Sequence, residues 1–266
     1  MKIGVTLCVL NEELYIGACL RSLIASPHIH KIAVVESCCK HNEHAGNACG
    51  LSVDNTAEEI KKVMAIDFNK KILFEQYGFS SGKSESQNRA LELVRDGMDY
   101  ILAVDGDELW KAKDIEKMVY FLSRNPQVNS VMVRVLNFWK RPDVIRFGGG
   151  WDISMVRLFK NFPGIHWDIH DAPVVLPDGR GINTVGECAD PGFVFYHYGY
   201  VKPERNVQNK IDFYSKRGGK KIGNTYPLLD GEITKDPSAK EGFKHFDGEH
   251  PKEFAAIKYH AQQKEV

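Results

Sequence analysis

The hydrophobic pattern of the first half of the chain alternates between two periods. Short runs of consecutive apolar residues, typical of buried strands, are separated by stretches in which apolar positions recur every three or four residues. The predicted strands cover residues 3–10, 31–36, 71–76 and 100–104, and the predicted helices cover residues 12–25, 56–64, 84–95 and 114–124. This alternation predicts an α/β fold with a mostly parallel central sheet and helices on both faces.

The second half of the chain has a different pattern. Residues 130–138 alternate between apolar and polar positions like an antiparallel strand, and residues 156–159 form another short strand. A helix is predicted over residues 205–216, and the chain becomes polar from Gly218 onward. We therefore expect a small antiparallel part, one domain over residues 1–217, and a C-terminal extension or lid over residues 218–266 that packs on it. The extension is predicted to end in a helix over residues 251–262.

The composition is that of an ordinary soluble globular protein. Of the 266 residues 43% are hydrophobic and 26% are charged, and basic and acidic residues are equal in number at 35 each. A net charge of zero provides no general attraction to nucleic acid or to anionic membranes. The first strand reaches Asn11 too soon for a signal peptide, and no apolar run has the length of a membrane span. Cys8 and Cys19 fall in apolar elements, which favours free thiols and a cytoplasmic location.

The most informative sequence feature is the end of the strand at residues 100–104. The strand is followed directly by Asp105-Gly106-Asp107-Glu108. Carboxylates at the carboxyl end of a buried strand lie where α/β folds bind their ligands. Two of them separated by a glycine can bind one divalent cation while a diphosphate approaches the backbone. The alternative is that these acids cap the polar helix that follows.

Four segments of the first half, in this order, resemble family 2 glycosyltransferases of the GT-A fold. They are Val5-Thr6-Leu7-Cys8-Val9-Leu10-Asn11-Glu12-Glu13 with Leu20-Arg21-Ser22-Leu23, Val34-Val35-Glu36 with Ser52-Val53-Asp54-Asn55-Thr56, Gly82-Lys83 with Asn88-Arg89-Ala90-Leu91, and Asp105-Gly106-Asp107, which matches the D-x-D metal motif. The resemblance covers the first half well and the second half loosely. It implies an enzyme that moves a sugar from a nucleoside-diphosphate sugar to a hydroxyl group.

The resemblance also implies residues for the donor site. The residues implied in nucleotide-sugar binding are Leu10, Asn11, Glu12, Glu36, Asp54, Lys83, Asn88, Asp105 and Gly106. A carboxylate in the place of Glu36 can accept a hydrogen bond from a ring N–H of uracil or guanine, which indicates a UDP- or GDP-sugar; its alternative role is to cap a turn. Mn²⁺ or Mg²⁺ would be held by Asp105, Asp107 and His197. The alternative to donor binding by Lys83 is that it is a solvated surface lysine. The alternative to metal binding by His197 is that it is a histidine of the protein core.

The candidate catalytic base follows the strand at residues 156–159. Related enzymes have a His-Glu pair near the acceptor, and His170-Asp171 occupies that place. An inverting transfer needs a carboxylate that takes the proton of the attacking hydroxyl, so Asp171 is the predicted base. Asp168 is the second candidate, and a turn-capping role is the alternative. Trp151 and Trp167 are candidates for stacking on a sugar or for core packing.

Two further segments have open interpretations. Residues 37–51 interrupt the family pattern and contain Cys38, Cys39, His41, His44 and Cys49, whose spacing could suit zinc but lacks a C-x-x-C pair. A surface loop with incidental thiols is favoured. Downstream basic residues could close over the diphosphate or form a solvated helix face; these are Arg205, Lys210, Lys216 and Arg217.

Two other functions remain as alternatives. A nucleotidyltransferase normally has a glycine-rich phosphate loop after its first strand, where this chain has Asn11-Glu12-Glu13. A non-catalytic nucleotide-sugar or glycan-binding protein is disfavoured by the intact Asp105 and Asp107. The acceptor could be a glycan, a lipid-linked saccharide or another hydroxyl compound, and the zero net charge disfavours a nucleic-acid acceptor without excluding it.

Overall fold

The structure is a computed structural model that describes residues 1–168, 174–204, 206–207, 210, 232–235 and 238–257, apart from the side chain of His41. The chain divides into two compact units. The first unit comprises Met1–Arg134, Ser154–Phe195 and Pro251–Val266, and the second comprises Val135–Ile153 and Tyr196–His250. The predicted domain boundary at residue 217 lies outside the described residues.

The described residues form an α/β structure. Its strands are β1 (Ile3–Val9), β2 (Ile29–Cys39), β3 (Ile72–Ser80), β4 (Tyr100–Asp105), β5 (Glu108–Leu109), β6 (Val128–Trp139), β7 (Arg141–Gly148), β8 (Ser154–Lys160), β9 (His166–Trp167), β10 (Val174–Val175), β11 (Glu187–Ala189), β12 (Val194–Tyr200) and β13 (Glu241–His245). Its α-helices are α1 (Ile16–Ile24), α2 (Thr56–Met64), α3 (Lys83–Val94) and α4 (Ala112–Arg124). Short 3₁₀ helices cover Lys40–Ala45, Ile182–Thr184 and Lys252–Ala256. No described helix has both the length and the apolar character needed to span a membrane.

The centre of the first unit is a parallel sheet in the order β3, β2, β1, β4. Beyond β4 the sheet continues with antiparallel β8 and the first part of β6. In the register of this sheet, Val9 lies beside Glu36 and Cys8 lies beside Asp105. The carboxyl ends of β1, β2 and β4 therefore meet at one edge, which brings two of the predicted site carboxylates close to the end of β1.

Helix α3 is fixed on this sheet by an apolar core. Ala90, Leu91 and Val94 pack in one cluster with side chains of β2 and β4, and Phe159 and Trp167 belong to the same cluster. The apolar positions of α3 recur at the helical period, which is why one face of the helix is buried. This packing fixes the first turn of α3, which begins at Lys83, beside the edge where β1 and β4 end.

The second unit has its own aromatic core. Trp139, Tyr200 and Phe243 are buried together with Val144 and Val207. Antiparallel pairing joins β7 to β13 and to the last part of β6. The guanidinium of Arg146 lies 4.0 Å from the ring centroid of Trp151 and 4.9 Å from that of Trp139.

The predicted α/β class and its alternating elements are confirmed. Helix α2 has the predicted bounds, but α1 begins at Ile16, four residues later than predicted. The four residues before α1 form a turn instead, in which Asn11 has a left-handed backbone and the N–H groups of Glu12 and Glu13 bond to Thr56 Oγ1 and Asp54 Oδ2.

Two other predicted elements differ from the structure. Strand β2 extends through Cys39, so the first part of the predicted loop at residues 37–51 is strand paired with β3. The helix predicted from Pro251 is a short 3₁₀ helix as far as Ala256, and residues 258–262 lie outside the described part. The helix predicted at residues 205–216 lies mostly outside it as well.

The buried hydroxyl of Tyr100 provides a test of the sheet. It donates a hydrogen bond of 2.8 Å to the carbonyl oxygen of Val128, and Tyr100 is 5% exposed. Tyr100→Phe removes this bond, so the free energy of unfolding, measured by urea denaturation, is expected to fall by about 1 kcal/mol. Tyr120→Phe is the matched control, because Tyr120 is 62% exposed and its loss of a hydroxyl should leave stability unchanged. Equal effects of the two variants would contradict the buried hydrogen bond.

Candidate active site

Asp105 ends β4 between two cations. Its Oδ1 accepts a hydrogen bond from Lys83 Nζ at 3.1 Å, and its Oδ2 accepts one from Arg157 Nη2, also at 3.1 Å. Burial by itself would raise the pKa of Asp105, but the charges of Lys83 and Arg157 outweigh it and hold that pKa well below its usual range. Asp105 is therefore a carboxylate at neutral pH. Lys83 contacts Asp105, which a solvated surface lysine would not do, and its role in donor binding stays a prediction.

Arg157 joins Asp105 to a second acid. It lies on β8 and also donates to Oε1 of Glu108, whose side chain is fully buried. The guanidinium of Arg157 lies 4.9 Å from the ring centroid of Phe195, which stacks on Trp110. Burial and the neighbouring carboxylates of Asp105 and Asp107 raise the pKa of Glu108 to about 8, although Arg157 opposes them. The sequence analysis assigned no role to Arg157, and the available signal was a charged residue inside an apolar strand.

The turn after β4 packs closely against the end of β1. A Cβ atom on Gly106 would lie 3.0 Å from Val9 Cγ1 and 3.1 Å from Glu12 Cγ, so a larger residue would force the loop away. Asp107 follows with 3% exposure. Burial raises the pKa of the nearby Cys19 thiol, and the carboxylates of Glu108, Asp107, Glu12 and Asp105 raise it further.

The acids of this turn fit a hard divalent cation that is shared with a ligand. No set of three or more His, Cys, Asp or Glu side chains in the described part of the chain is arranged to hold a metal ion by itself. Asp105 and Asp107 offer carboxylate oxygens, which Mg²⁺ and Mn²⁺ prefer. Mg²⁺ is commonly bound by one or two carboxylates together with substrate phosphates. The donor set therefore suits a cation that binds together with a diphosphate.

The loop after β1 is held by side-chain hydrogen bonds. Asn11 has a left-handed backbone, with φ 56°; its Oδ1 accepts from the N–H of Val53 at 2.9 Å, and its Nδ2 donates to the carbonyl of Ala45 at 2.7 Å. Glu12 donates its N–H to Thr56 Oγ1 at 2.7 Å. The structure thus brings Asn11 and Glu12 to the predicted edge, where Leu10 immediately precedes them and is partly buried.

Glu36 and Asp54 lie at the same edge and bind backbone groups there. Glu36 is 1% exposed; its Oε1 accepts from the N–H of Ser52 at 3.0 Å and its Oε2 from Gln76 Nε2 at 2.9 Å. Asp54 Oδ1 accepts from the N–H of Thr56 at 3.0 Å. These contacts match the alternative in which Glu36 caps a neighbouring turn, and a role in base recognition stays a prediction.

Asn88 connects α3 to β9. Its Nδ2 donates to the carbonyl oxygen of Trp167 at 2.8 Å, and its Oδ1 accepts from the N–H of Trp167 at 2.7 Å. The side-chain amide of Asn88 thus binds protein backbone in the structure. Trp167 is 7% exposed and packs edge-on against Phe159, as core packing requires.

His197 lies in the second unit. Its Nδ1 is 2.5 Å from Asn137 Oδ1, and its Nε2 is 3.5 Å from Lys210 Nζ. Asn137 donates its Nδ2 to the carbonyl of Trp151, so its Oδ1 is an acceptor and His197 Nδ1 carries the proton. His197 therefore presents the lone pair of Nε2. Its participation with Asp105 and Asp107 in a metal site stays a prediction.

Several predicted residues lie outside the described part of the chain. These are His170, Asp171, Arg205, Lys216 and Arg217. Asp168, the second candidate base, is exposed directly after β9. In the segment of residues 37–51, which interrupts the family pattern, Cys38 is buried in β2 and its Sγ lies 3.2 Å from the carbonyl oxygen of Asn42. Cys49, in the same segment, is exposed.

The Arg157 contacts generate a stability test. Arg157→Met removes one of the two cations that pair with the Asp105 carboxylate, and the free energy of unfolding is expected to fall by about 3–5 kcal/mol. Adding Glu108→Gln to this variant should change the loss little, because Glu108, with a pKa of about 8, is already largely neutral at pH 7. Arg141→Met is the matched control, since Arg141 and Asp143 form an ion pair whose side chains are both more than half exposed. It should cost at most about 1 kcal/mol in the same urea titration, and an equal loss for both single variants would refute the buried network.

Comparisons with known proteins find a family match over part of the chain and a similar fold in solved structures. Residues 50–178 match the family described as glycosyl transferase family 2. A search of curated protein sequences finds no significant match. The mannosyltransferase PcManGT from Pyrobaculum calidifontis, solved in complex with GDP-Man and Mn²⁺, has 15% sequence identity and a TM-score of 0.51; the match covers 98% of this chain and 68% of that chain.

Two structures of TarS residues 1–349 from S. aureus also match. The complex with UDP has 15% identity and a TM-score of 0.49, over 86% of this chain and 75% of that one. The complex with UDP-GlcNAc has 22% identity and a TM-score of 0.40, over 53% of this chain, and this chain spans only 37% of its length. The likeness to PcManGT shows the fold, and the family match lies on the segment that carries the Asp105 turn. Residues 50–178 thus resemble glycosyl transferase family 2, and the chain has the fold of the mannosyltransferase PcManGT.

Proposed function

We propose that this protein transfers a sugar from a nucleoside-diphosphate sugar to an acceptor hydroxyl, with inversion at the anomeric carbon and with Mn²⁺ or Mg²⁺. The observation that carries the proposal is the turn Asp105-Gly106-Asp107 at the carboxyl end of β4, beside the end of β1, with Lys83 and Arg157 against it. Carboxylates and cations converge there at the edge of a parallel sheet where α/β folds bind nucleotides.

The loop after β1 and the turn after β4 would hold the donor. Gly106 lets the backbone approach closely, and Asn11, Glu12 and Asp54 keep the neighbouring loop in one conformation. Such preorganisation lowers the entropy cost of binding. PcManGT is solved with GDP-Man and Mn²⁺ and TarS with UDP, which supports a UDP- or GDP-sugar as the donor here.

Asp105 and Asp107, with His197 as a candidate, would hold the divalent cation. When bound, the cation neutralises the negative charge that develops on the departing diphosphate. Lys83 and Arg157 are two further cations that already lie at the same carboxylate. When a diphosphate occupies the edge, they can donate hydrogen bonds to its oxygens, which places positive charge where the leaving group carries negative charge.

Asp171 is the proposed base. The acceptor oxygen forms a bond to the anomeric carbon, the bond from that carbon to the phosphate oxygen breaks, and the hydroxyl proton goes to the carboxylate of Asp171. One displacement from the face opposite the leaving group inverts the anomeric centre. Asn88 supports this step indirectly, because it fixes the backbone of Trp167 just before the segment that contains Asp168 and Asp171. None of the six cysteines, all of which the structure describes, forms a disulfide, which supports a reducing compartment such as the cytoplasm.

The donor site is tested by thermal denaturation with UDP, GDP, CMP and dTDP, each with and without Mn²⁺. One diphosphate with Mn²⁺ should raise the melting temperature, because a ligand at about 100 times its Kd stabilises the native state by about 2.7 kcal/mol. Asp107→Asn should abolish the Mn²⁺-dependent part of the shift. Asp96→Asn is the control, because Asp96 is exposed beyond the end of α3, and it should retain the full shift. The absence of any nucleotide response in the wild type would overturn the proposal.

The base is tested by steady-state kinetics once the donor is known. Asp171→Asn should lower kcat by about 10²- to 10⁴-fold, because the attacking hydroxyl loses its proton acceptor. The nucleotide-dependent thermal shift should persist in this variant. Asp168→Asn is compared in parallel and should reduce kcat far less; a larger loss in Asp168→Asn than in Asp171→Asn would move the role of the base to Asp168.

A further inference from the structure

A polar cleft of about 350 Å³ lies in the first unit, next to the donor edge. It is lined by the end of β3, the first three turns of α3 and the end of β9. Lys83, the first residue of α3, contacts Asp105, and the next residue, Ser84, lines the cleft. Asp168 lines its opposite side, directly before the segment that contains the proposed base. The cleft therefore lies where an acceptor would approach the donor.

One wall of the cleft is held rigid by internal hydrogen bonds. Glu85 Oε1 accepts from the hydroxyl of Tyr77 at 2.7 Å, and its Oε2 accepts from the N–H of Ser81 at 2.8 Å. Hydrogen bonds from the Ser81 hydroxyl, the Tyr77 hydroxyl and the Ser81 N–H lower the pKa of Glu85 to about 2, so its carboxylate is ionised at neutral pH. Asn88 is fixed by the backbone of Trp167. The wall is thus preorganised and presents a permanent hydrogen-bond acceptor.

Two other groups of the cleft residues have unused hydrogen-bonding capacity. The Ser84 hydroxyl and the Asp168 carboxylate make no hydrogen bond within the part of the chain that the structure describes. A hydroxyl both donates and accepts hydrogen bonds, whereas a carboxylate accepts them. These two groups suit a ligand that carries several hydroxyl groups.

The charges of the lining select against an anionic ligand. Three carboxylates line the cleft, those of Glu85, Glu92 and Asp168, against the single guanidinium of Arg89. Arg89 is already paired with Glu75 at 3.0 Å and with Glu92 at 3.0 Å. A phosphate placed here would face an excess of like charge, and the one cation among the described lining residues is already paired, which costs binding free energy.

We propose that this cleft binds the acceptor and that the acceptor part it binds is an uncharged saccharide, recognised through its hydroxyl groups. This inference rests on the proposed transferase function and narrows its acceptor to one chemical class. A phosphorylated sugar or a lipid tail does not match the cleft, because its walls are polar and carry an excess of negative charge.

The test is ligand-observed NMR on the full chain, in the presence of the nucleoside diphosphate and Mn²⁺. Uncharged oligosaccharides are compared with their phosphorylated counterparts. At least one uncharged saccharide should bind, about tenfold or more tightly than its phosphorylated counterpart. Ser84→Tyr, which fills the cleft, should abolish this binding. Ser123→Tyr places the same side chain on exposed α4 and should leave it unchanged. Both variants should retain the nucleotide-dependent thermal shift.

A second variant tests the charge argument without filling the cleft. Glu92→Lys, at a side chain that is largely exposed, should reduce the preference for the uncharged saccharide about tenfold. Equal or tighter binding of phosphorylated saccharides to the wild type, or saccharide binding that survives Ser84→Tyr, would overturn the inference. So would a nucleotide-dependent shift with no saccharide binding, in which case the donor proposal stands alone. Another outcome is that the wild type binds a saccharide, that Ser84→Tyr loses this binding, and that no nucleotide changes the melting temperature. This outcome would support the saccharide site in the cleft and refute the proposed transferase function.

Discussion

The burial of acidic side chains at the end of β4 is the constraint on which the first unit depends. Asp105 ends a central strand and Asp107 follows it in a largely buried region, where an unpaired charge would cost several kcal/mol. Arg157 from β8 and Lys83 from α3 supply the opposing charge. The same ion pairs therefore tie a strand and a helix to β4 and assemble the candidate active site. Removing one partner of a buried ion pair destabilises a protein more than the intact pair stabilises it. The main effect of this network is therefore to hold charged side chains in defined positions.

Hydrogen bonds between loops hold the segment after β1 in place, next to the acidic turn. Asn11, Glu36 and Asp54 bind backbone groups of adjacent loops, so the segment after β1 has one conformation before any ligand arrives. On the other side of α3, Asn88 fixes Trp167 in the same way. Several side chains expected to touch the nucleotide thus touch protein backbone. Preorganisation of a binding edge by residues of this kind reduces the entropy lost when a flexible donor binds.

The sequence predicted the framework of the site better than its contacts. The acid-glycine-acid turn after a buried strand was visible because its apolar run ends abruptly, and the strand is observed there as β4. The role of Arg157 was not predicted, because nothing in the sequence shows that β8 lies antiparallel to β4 and brings its guanidinium to Asp105. The extension of β2 through Cys39 also depends on a partner remote in sequence. The cleft lining shares this origin, since β3, α3 and β9 each contribute to it.

The sequence by itself determined the α/β class, the order of strands and helices, and the position of the acidic turn. These follow from local periodicity, because buried strands and amphipathic helices need apolar residues at fixed intervals. Only the tertiary structure decided which charges meet, which polar groups are already satisfied and which remain available on the cleft. Those properties depend on distances such as those from Asp105 to Lys83 and Arg157, which are 22 and 52 positions away in the chain but 3.1 Å away at their polar atoms. Pairing, burial and electrostatic balance exist only after the chain has folded.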